Sequence, residues 1–155
     1  MGAILLSVFT HSLPASAQKS AIPPNMVQGN SNKRIIAGQL RLAAKLGRKA
    51  MAGFEATPRD NAIPIDQDTI QAAQDTYALI RAARHGMELL FETQKVRDPV
   101  DQLTFKKLDE AWNASRYPID RLSWGIPREK YLSESLQGLS RAMQLVDQAL
   151  VFLPG

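Results

Sequence analysis

The chain has 155 residues, of which 45% are hydrophobic and 22% charged, with a formal net charge of +4 and no cysteine. These values are ordinary for one globular domain with one core, and they argue against a disordered chain. The lack of cysteine excludes disulfides, thiolate metal sites, iron–sulfur clusters and haem attached through a Cys-x-x-Cys-His motif.

The basic residues are concentrated near the amino terminus. Residues 18–59 hold eight Lys or Arg and one acid, a balance of +7, whereas residues 60–155 hold eleven bases and fourteen acids, a balance of −3. A basic segment such as residues 18–59 favours association with an acidic surface. The total charge is too small to predict nucleic-acid binding, and a solvated helix face without a partner is the alternative interpretation.

Residues 1–17 contain no Lys, Arg, Asp or Glu and combine an apolar run, Ala3 to Phe9, with the small residues Ala15-Ser16-Ala17. This pattern is typical of an export signal that is cut after Ala17. No basic residue precedes the run, which a truncated start or the second half of a two-step targeting sequence would explain. A disordered apolar tail is the alternative. The next residues, 18–32, are rich in Pro, Gly, Asn and Ser and predict a flexible, extended lead-in.

The first predicted helix runs from Ser31 or Asn32 to about Phe54. Its apolar stripe consists of Ile36, Leu40, Ala43, Leu46, Ala50 and Phe54, and its basic flank of Lys33, Arg34, Arg41, Lys45, Arg48 and Lys49. We expect the basic flank to bind a partner. The helix also contains Gly38, Gly47 and Gly53, each of which costs about 1 kcal/mol relative to alanine. We therefore expect it to be the weakest helix.

Three further helices follow. The second is predicted from Asp66 or Asp68 to about Arg97, where Asp98 and Pro99 end it and begin the third. Pro118 ends or kinks the third helix, and residues 119–126 form an irregular corner. The fourth, residues 127–153, carries apolar residues spaced alternately by four and three: Leu132, Leu136, Leu139, Met143, Val146, Leu150 and Leu153. Because the connections are short, the chain predicts an all-α, up-down four-helix bundle over residues 33–155.

No catalytic motif or metal-ligand set is recognisable, so we expect neither an enzyme nor a cofactor. His85 is the only histidine after the predicted signal, and we expect it at the edge of the core. Haem held by His85 would need a methionine. Met51 lies roughly 20 Å away along the bundle, whereas Met143 stays open. A periplasmic bundle that binds a small ligand or haem is therefore an alternative, which a continuous internal pocket would favour, and an anionic-lipid-binding module is another.

Three segments resemble the PsbQ family, the extrinsic lumenal subunits of photosystem II. Ala83-Arg84-His85-Gly86-Met87-Glu88 is similar to an Ala-Arg-x-Gly-Met-Glu stretch in the first conserved helix of that family. Ala114-Ser115-Arg116-Tyr117 with Asp120-Arg121-Leu122 resembles its Ala-Ser-x-x-Arg-Tyr-Asp-Leu segment. Leu136 and Leu139, with Leu145-Val146-Asp147-x-Ala149, resemble its third helix. Together these segments cover residues 81–151.

The resemblance implies a non-enzymatic accessory subunit in the thylakoid lumen, peripheral to the membrane and docked on photosystem II. Such a subunit stabilises the oxygen-evolving centre and its retention of calcium and chloride. Related PsbQ-like proteins sit on the chloroplast NDH complex, so the host complex stays open. The bacterial periplasm is the alternative location.

Overall fold

The computed structural model describes the backbone of residues 24–154 and the side chains of residues 31–154. This part of the chain forms four long helices and one single-turn helix: α1 (Pro24–Ala56), α2 (Gln67–Glu92), α3 (Pro99–Ala114), α4 (Tyr117–Asp120) and α5 (Arg128–Val151). It contains no β-strand, so the prediction of an all-α fold is confirmed. The predicted signal, residues 1–17, and the first part of the predicted lead-in, residues 18–23, lie outside the described residues.

The four long helices form an up-down bundle, in which each helix is antiparallel to the one before it. The end of α1 meets the start of α2 at Gly53 and Thr69, and the end of α3 meets α5 at Ala114 and Gly138. Because α5 also packs back along α1, the four helices close a ring around the core. This is the arrangement that short connections between amphipathic helices require.

The apolar stripe of α5 faces the other helices, as its spacing predicts. Most of its members are buried, namely Leu132, Leu139, Met143, Val146 and Leu153, whereas Leu136 and Leu150 are half-buried. Each fully buried large apolar side chain contributes about 1.5–3 kcal/mol. The stripe therefore contributes on the order of 10 kcal/mol, before the conformational entropy of folding is counted.

The first helix begins earlier than the sequence predicted. Residues 24–32 belong to α1, so the prediction of an extended lead-in is wrong for this part of it. The physical reason lies in Pro24, which is the first helical residue. A proline at that position lacks only an N–H group that would have no partner in the helix anyway, and its fixed φ suits the first turn. Pro24 therefore begins a helix instead of continuing a loop.

The second helix ends at Glu92, five residues before the predicted end at Arg97. The hydroxyl and the backbone N–H of Thr93 both donate to the carbonyl of Leu90, at 2.7 and 3.1 Å, so this side chain adds a hydrogen bond to the last turn. The predicted start of α3 is confirmed, since Asp98 accepts a hydrogen bond from the N–H of Val100 at 2.7 Å and Pro99 follows it. Side-chain hydrogen bonds therefore set both ends of this connection.

The three glycines of α1 have different surroundings, although the sequence analysis gave them one uniform cost. Gly53 packs so closely against Thr69 that a Cβ atom would overlap the threonine side chain, and Gly47 packs in the same way on the flexible end of Met143. Gly38 has open space around it. Two of the glycines therefore bring neighbouring helices close together. Gly38 does not, so its loss of backbone entropy on folding is not offset by closer packing.

Gly38→Ala and Gly53→Ala are expected to change stability in opposite directions. Alanine at position 38 should raise the free energy of unfolding by about 0.5–1 kcal/mol, because it removes backbone entropy from the unfolded chain and meets no neighbour. Alanine at position 53 should lower it by about 1–3 kcal/mol through overpacking. Urea unfolding of the two variants measures both values, and a shift of the same sign in both would contradict this assignment of the glycines.

Candidate partner-binding surface

The six basic residues that the sequence analysis proposed for partner binding all lie on α1. The structure divides them by the groups they contact. Lys33 is half-buried in an ion pair with α3, Arg41 and Arg48 lie along the seam with α5, and Arg34, Lys45 and Lys49 are exposed.

Lys33 makes a structural ion pair with the first turn of α3. Its Nζ lies 2.9 Å from Oδ1 of Asp101, whose side chain is 3% exposed, and Gln94 donates to the other carboxylate oxygen at 2.8 Å. The free N–H groups of this turn also favour a negative charge there. Lys33 precedes Ile36 by three residues and Leu40 by seven, a spacing that places it on the core side of α1. We therefore leave Lys33 out of the candidate surface.

Arg41 and Arg48 contact the carboxyl-terminal part of the chain. Arg41 donates to the carbonyl of Pro154 at 3.3 Å, and Arg48 Nη2 lies 2.8 Å from Oδ2 of Asp147. The Arg48 and Asp147 side chains are both more than half exposed. Exposed ion pairs of this kind contribute about 0–1 kcal/mol, so these guanidinium groups remain accessible to a partner.

The basic face of α1 comprises Arg34, Arg41, Lys45, Arg48 and Lys49, which are all exposed. It extends about 22 Å along the helix, given a rise of about 1.5 Å per residue. The ion pairs found among residues 31–154 provide no carboxylate partner for Arg34, Lys45 or Lys49. Since the helix has no acidic residue before Glu55, the face presents positive charge along most of its length.

Arg84 connects α2 to α3, a role that the sequence analysis did not foresee. Its Nε lies 2.7 Å from Oδ1 of Asp109 and its Nη1 lies 2.6 Å from Oε1 of Glu88. The guanidinium also lies over the rings of Phe105 and Trp112, at 4.9 and 5.1 Å from their centroids. No local pattern indicates such a pair, because Arg84 and Asp109 are 25 residues apart.

The segment that resembles the PsbQ family packs inside the bundle. Ala83, Gly86 and Met87 are buried, and a Cβ atom on Gly86 would lie 2.9 Å from Cγ1 of Ile36. Small residues at positions 83 and 86 let α1 approach α2 closely. The resemblance therefore rests, in this segment, on residues that hold the helices together.

His85 is on the surface, not at the edge of the core as expected, since 65% of its side chain is exposed. Its Nδ1 lies 3.4 Å from Oε2 of Glu88. Met143 is buried in the core, where the end of its side chain lies against Gly47. Exposed His85 and buried Met143 are therefore not placed to ligate one haem from its two sides unless the helices rearrange. Among residues 31–154 no group of three or more His, Cys, Asp or Glu is placed to hold a metal ion.

Two depressions lie on the surface of the described chain. One, of about 310 Å³, lies beside the α1–α2 loop, and the other, of about 610 Å³, lies between the end of α3 and α5. Both open to solvent. A ligand-binding bundle was expected to have a continuous internal pocket, and neither depression is of that kind.

Tyr131 is a buried titratable residue whose pKa is clearly shifted by its surroundings. Its ring packs edge-on against Phe54, and its hydroxyl donates to the carbonyl of Pro118. Burial raises the pKa of Tyr131 to about 12, since the phenolate would lose its hydration. The residue therefore serves as a neutral hydrogen-bond donor that fixes α4 against α5.

The fold and the surface define an all-α helical-bundle protein whose first helix carries a basic outer face. Comparisons with models of known protein families, with curated proteins and with solved structures find no match. Within residues 24–154 no helix combines the length and apolarity needed to cross a bilayer.

Lys33→Met and Arg48→Met are expected to separate the structural basic residue from the accessible ones. Removal of Lys33 leaves the buried Asp101 carboxylate without its cation and should lower the free energy of unfolding by about 2 kcal/mol, less than for a fully buried pair because Lys33 is partly exposed. Removal of Arg48 should change it by less than about 1 kcal/mol. Urea unfolding at neutral pH measures both. Equal losses would show that the two pairs contribute alike.

Stability is expected to fall as the pH rises from about 10 to about 12. The pKa of Tyr131 is higher in the folded chain than its ordinary value of about 10 in the unfolded chain, so protonated Tyr131 stabilises the fold at lower pH. Deprotonation of the unfolded chain then removes this contribution, on the order of 2 kcal/mol. Tyr131→Phe should show a shallower loss than wild type in urea unfolding at pH 9–12. If stability fell with pH as steeply in Tyr131→Phe as in wild type, Tyr131 would not be the source of the pH dependence. Tyr77→Phe is the control and should behave as wild type.

Proposed function

We propose that this chain is a non-enzymatic extrinsic subunit that docks on the lumenal face of photosystem II, or of a related thylakoid complex. There it stabilises the oxygen-evolving centre and the retention of calcium and chloride by covering neighbouring subunits. The proposal takes the host and the location from the resemblance to the PsbQ family and from the export-type pattern of residues 1–17.

The basic face of α1 is the observation that carries the docking part of this proposal. It places five exposed cations on one side of a helix whose other side is packed against α2 and α5. A docked subunit needs charge that complements an acidic surface, and such charge steers association and sets orientation more than it sets affinity. The helix that carries the face is held in the bundle by Ile36, Leu40 and Phe54, which are buried in the core.

The segments that carry the resemblance support a similar helical scaffold rather than a particular contact surface. Ala83, Gly86 and Met87 are core residues, and Arg84 ties two helices together. We therefore assign docking to α1, and we assign to the matching segments the packing that holds α1 in place.

Native co-purification tests the proposal. A tagged chain produced in its source organism should be recovered from thylakoid membranes with photosystem II or a related complex, as identified by mass spectrometry. About 1 M salt should release it, because the Debye length then falls to about 3 Å. A chain that is recovered without a thylakoid complex would contradict the proposal.

Charge reversal tests the role of the basic face. Arg34, Lys45 and Lys49 changed together to Glu should weaken binding to the membranes by about tenfold or more, with little effect on stability, because these side chains have no described ion-pair partner. Lys95, Lys106 and Lys130 changed to Glu are the matched control. They are exposed and lie elsewhere, and the net charge changes equally. Equal loss in both variants would point to net charge instead of the basic face.

A further inference from the structure

The depression of about 310 Å³ beside the α1–α2 loop, called the dent below, lies between two loops at the end of the bundle opposite the start of α1. The loops are the α1–α2 connection, residues 57–66, and the corner between α4 and α5, residues 121–127. The apolar part of its wall comes from Ile65, Ile70, Leu122 and Ile126. This volume is at the lower end of the range of about 300–1,000 Å³ for ligand pockets, and it is enough for one large apolar side chain together with an adjacent group.

Exposed apolar side chains lie in the two loops that form the dent, and one of them, Leu122, is in its wall. Trp124 is 61% exposed, and Leu122 and Ile63 are each 45% exposed. Exposed apolar residues that are grouped around a concavity mark interaction sites more often than those scattered singly. Tryptophan and arginine are also the residues most enriched among those that dominate protein–protein binding.

Arg121 lies in the wall of the dent with its charge uncompensated. Its guanidinium carbon is 3.9 Å from the centroid of the Trp124 ring and 5.8 Å from that of Tyr117. The ion pairs found in residues 31–154 do not include Arg121, whereas nearby Arg116 pairs with Asp120. Stacking uses the face of a guanidinium and leaves the N–H groups on its edge available to a carboxylate.

The walls are held in place before any partner arrives. Arg128, which also lines the dent, donates to the carbonyls of Pro58 and Ile63 and so fastens the α1–α2 loop to the start of α5. The Tyr131 hydroxyl fastens the corner through the carbonyl of Pro118. A preformed surface loses less conformational entropy on binding.

We propose that this dent is a second docking surface, which receives a large apolar side chain of a partner polypeptide together with an adjacent carboxylate that pairs with Arg121. Two observations select this occupant. The wall contains two arginines and no carboxylate, so it complements an acidic segment. The surface is concave, and a concavity fits a protruding side chain better than it fits a lipid surface. The site is separate from the basic face, and its test needs no thylakoid complex.

Solution NMR with two short peptides tests this proposal. The probes are acetyl-Asp-Leu-Asp-amide and the neutral acetyl-Asn-Leu-Asn-amide, titrated into the ¹⁵N-labelled chain, with the two indole N–H signals assigned through Trp124→Phe. The acidic peptide should shift the Trp124 signal saturably and leave the Trp112 signal unchanged. The neutral peptide should bind about tenfold more weakly, because it lacks the charged hydrogen bond to Arg121.

Arg121→Gln should weaken the acidic peptide about tenfold. Arg97→Gln should not, and it is the matched control because Arg97 also lies over an aromatic ring, at 4.7 Å from the centroid of Phe91, but is not part of the wall of the dent. A thermal melt verifies that both variants fold. Equal binding of the two peptides, or no saturable shift up to the solubility limit, would overturn the proposal. So would a Trp124 signal that responds to phosphatidylcholine–phosphatidylglycerol vesicles and not to peptide, because the surface would then bind lipid.

Discussion

The close approach of α1 and α2 is the contact on which the rest of the bundle depends. It is made by positions without a side chain, Gly53 against Thr69 near one end and Gly86 against Ile36 near the other. Because the helices touch at these positions, the apolar stripes on both can be fully buried, as for Leu40 and Ala83. The same contact determines which side of α1 faces solvent, and therefore where its cations are displayed.

Periodicity was sufficient to predict the four long helices and the buried sides of α1, α2 and α5, whereas on α3 the apolar Val100 and Leu103 are exposed. It failed at helix ends, and for a physical reason. The end of α2 at Glu92 depends on the hydroxyl of Thr93, and the start of α1 depends on Pro24 serving as a first helical residue rather than as a breaker. Each choice depends on one residue: on a hydrogen bond worth about 1 kcal/mol at Thr93, and at Pro24 on a fixed φ and on an N–H group that the first turn does not need. A pattern that averages over several turns does not contain them.

The sequence was enough to predict that the candidate surface lies on the first helix, but not which of its basic residues belong to it. Composition alone located the positive charge on the first helix, but the partner of Lys33 is Asp101, 68 residues further along the chain. Which cation is neutralised is a property of the folded topology, which brings the first turn of α3 beside α1. For the same reason Arg84 gave no sign of its role, since its carboxylate partner Asp109 lies on another helix.

The cations that remain exposed on α1 are not explained by stability. Arg41 and Lys45, and likewise Lys45 and Lys49, are four residues apart, so like charges face each other along one side of the helix. Each such pair destabilises a helix by about 0.2–0.5 kcal/mol. Among the five cations of the face, Arg48 has a carboxylate partner in the described chain, the exposed Asp147, which offsets part of the repulsion. A helix selected for stability alone would place glutamates among these positions. This arrangement is consistent with the docking role proposed for the basic face, because an acidic surface would remove the repulsion on binding.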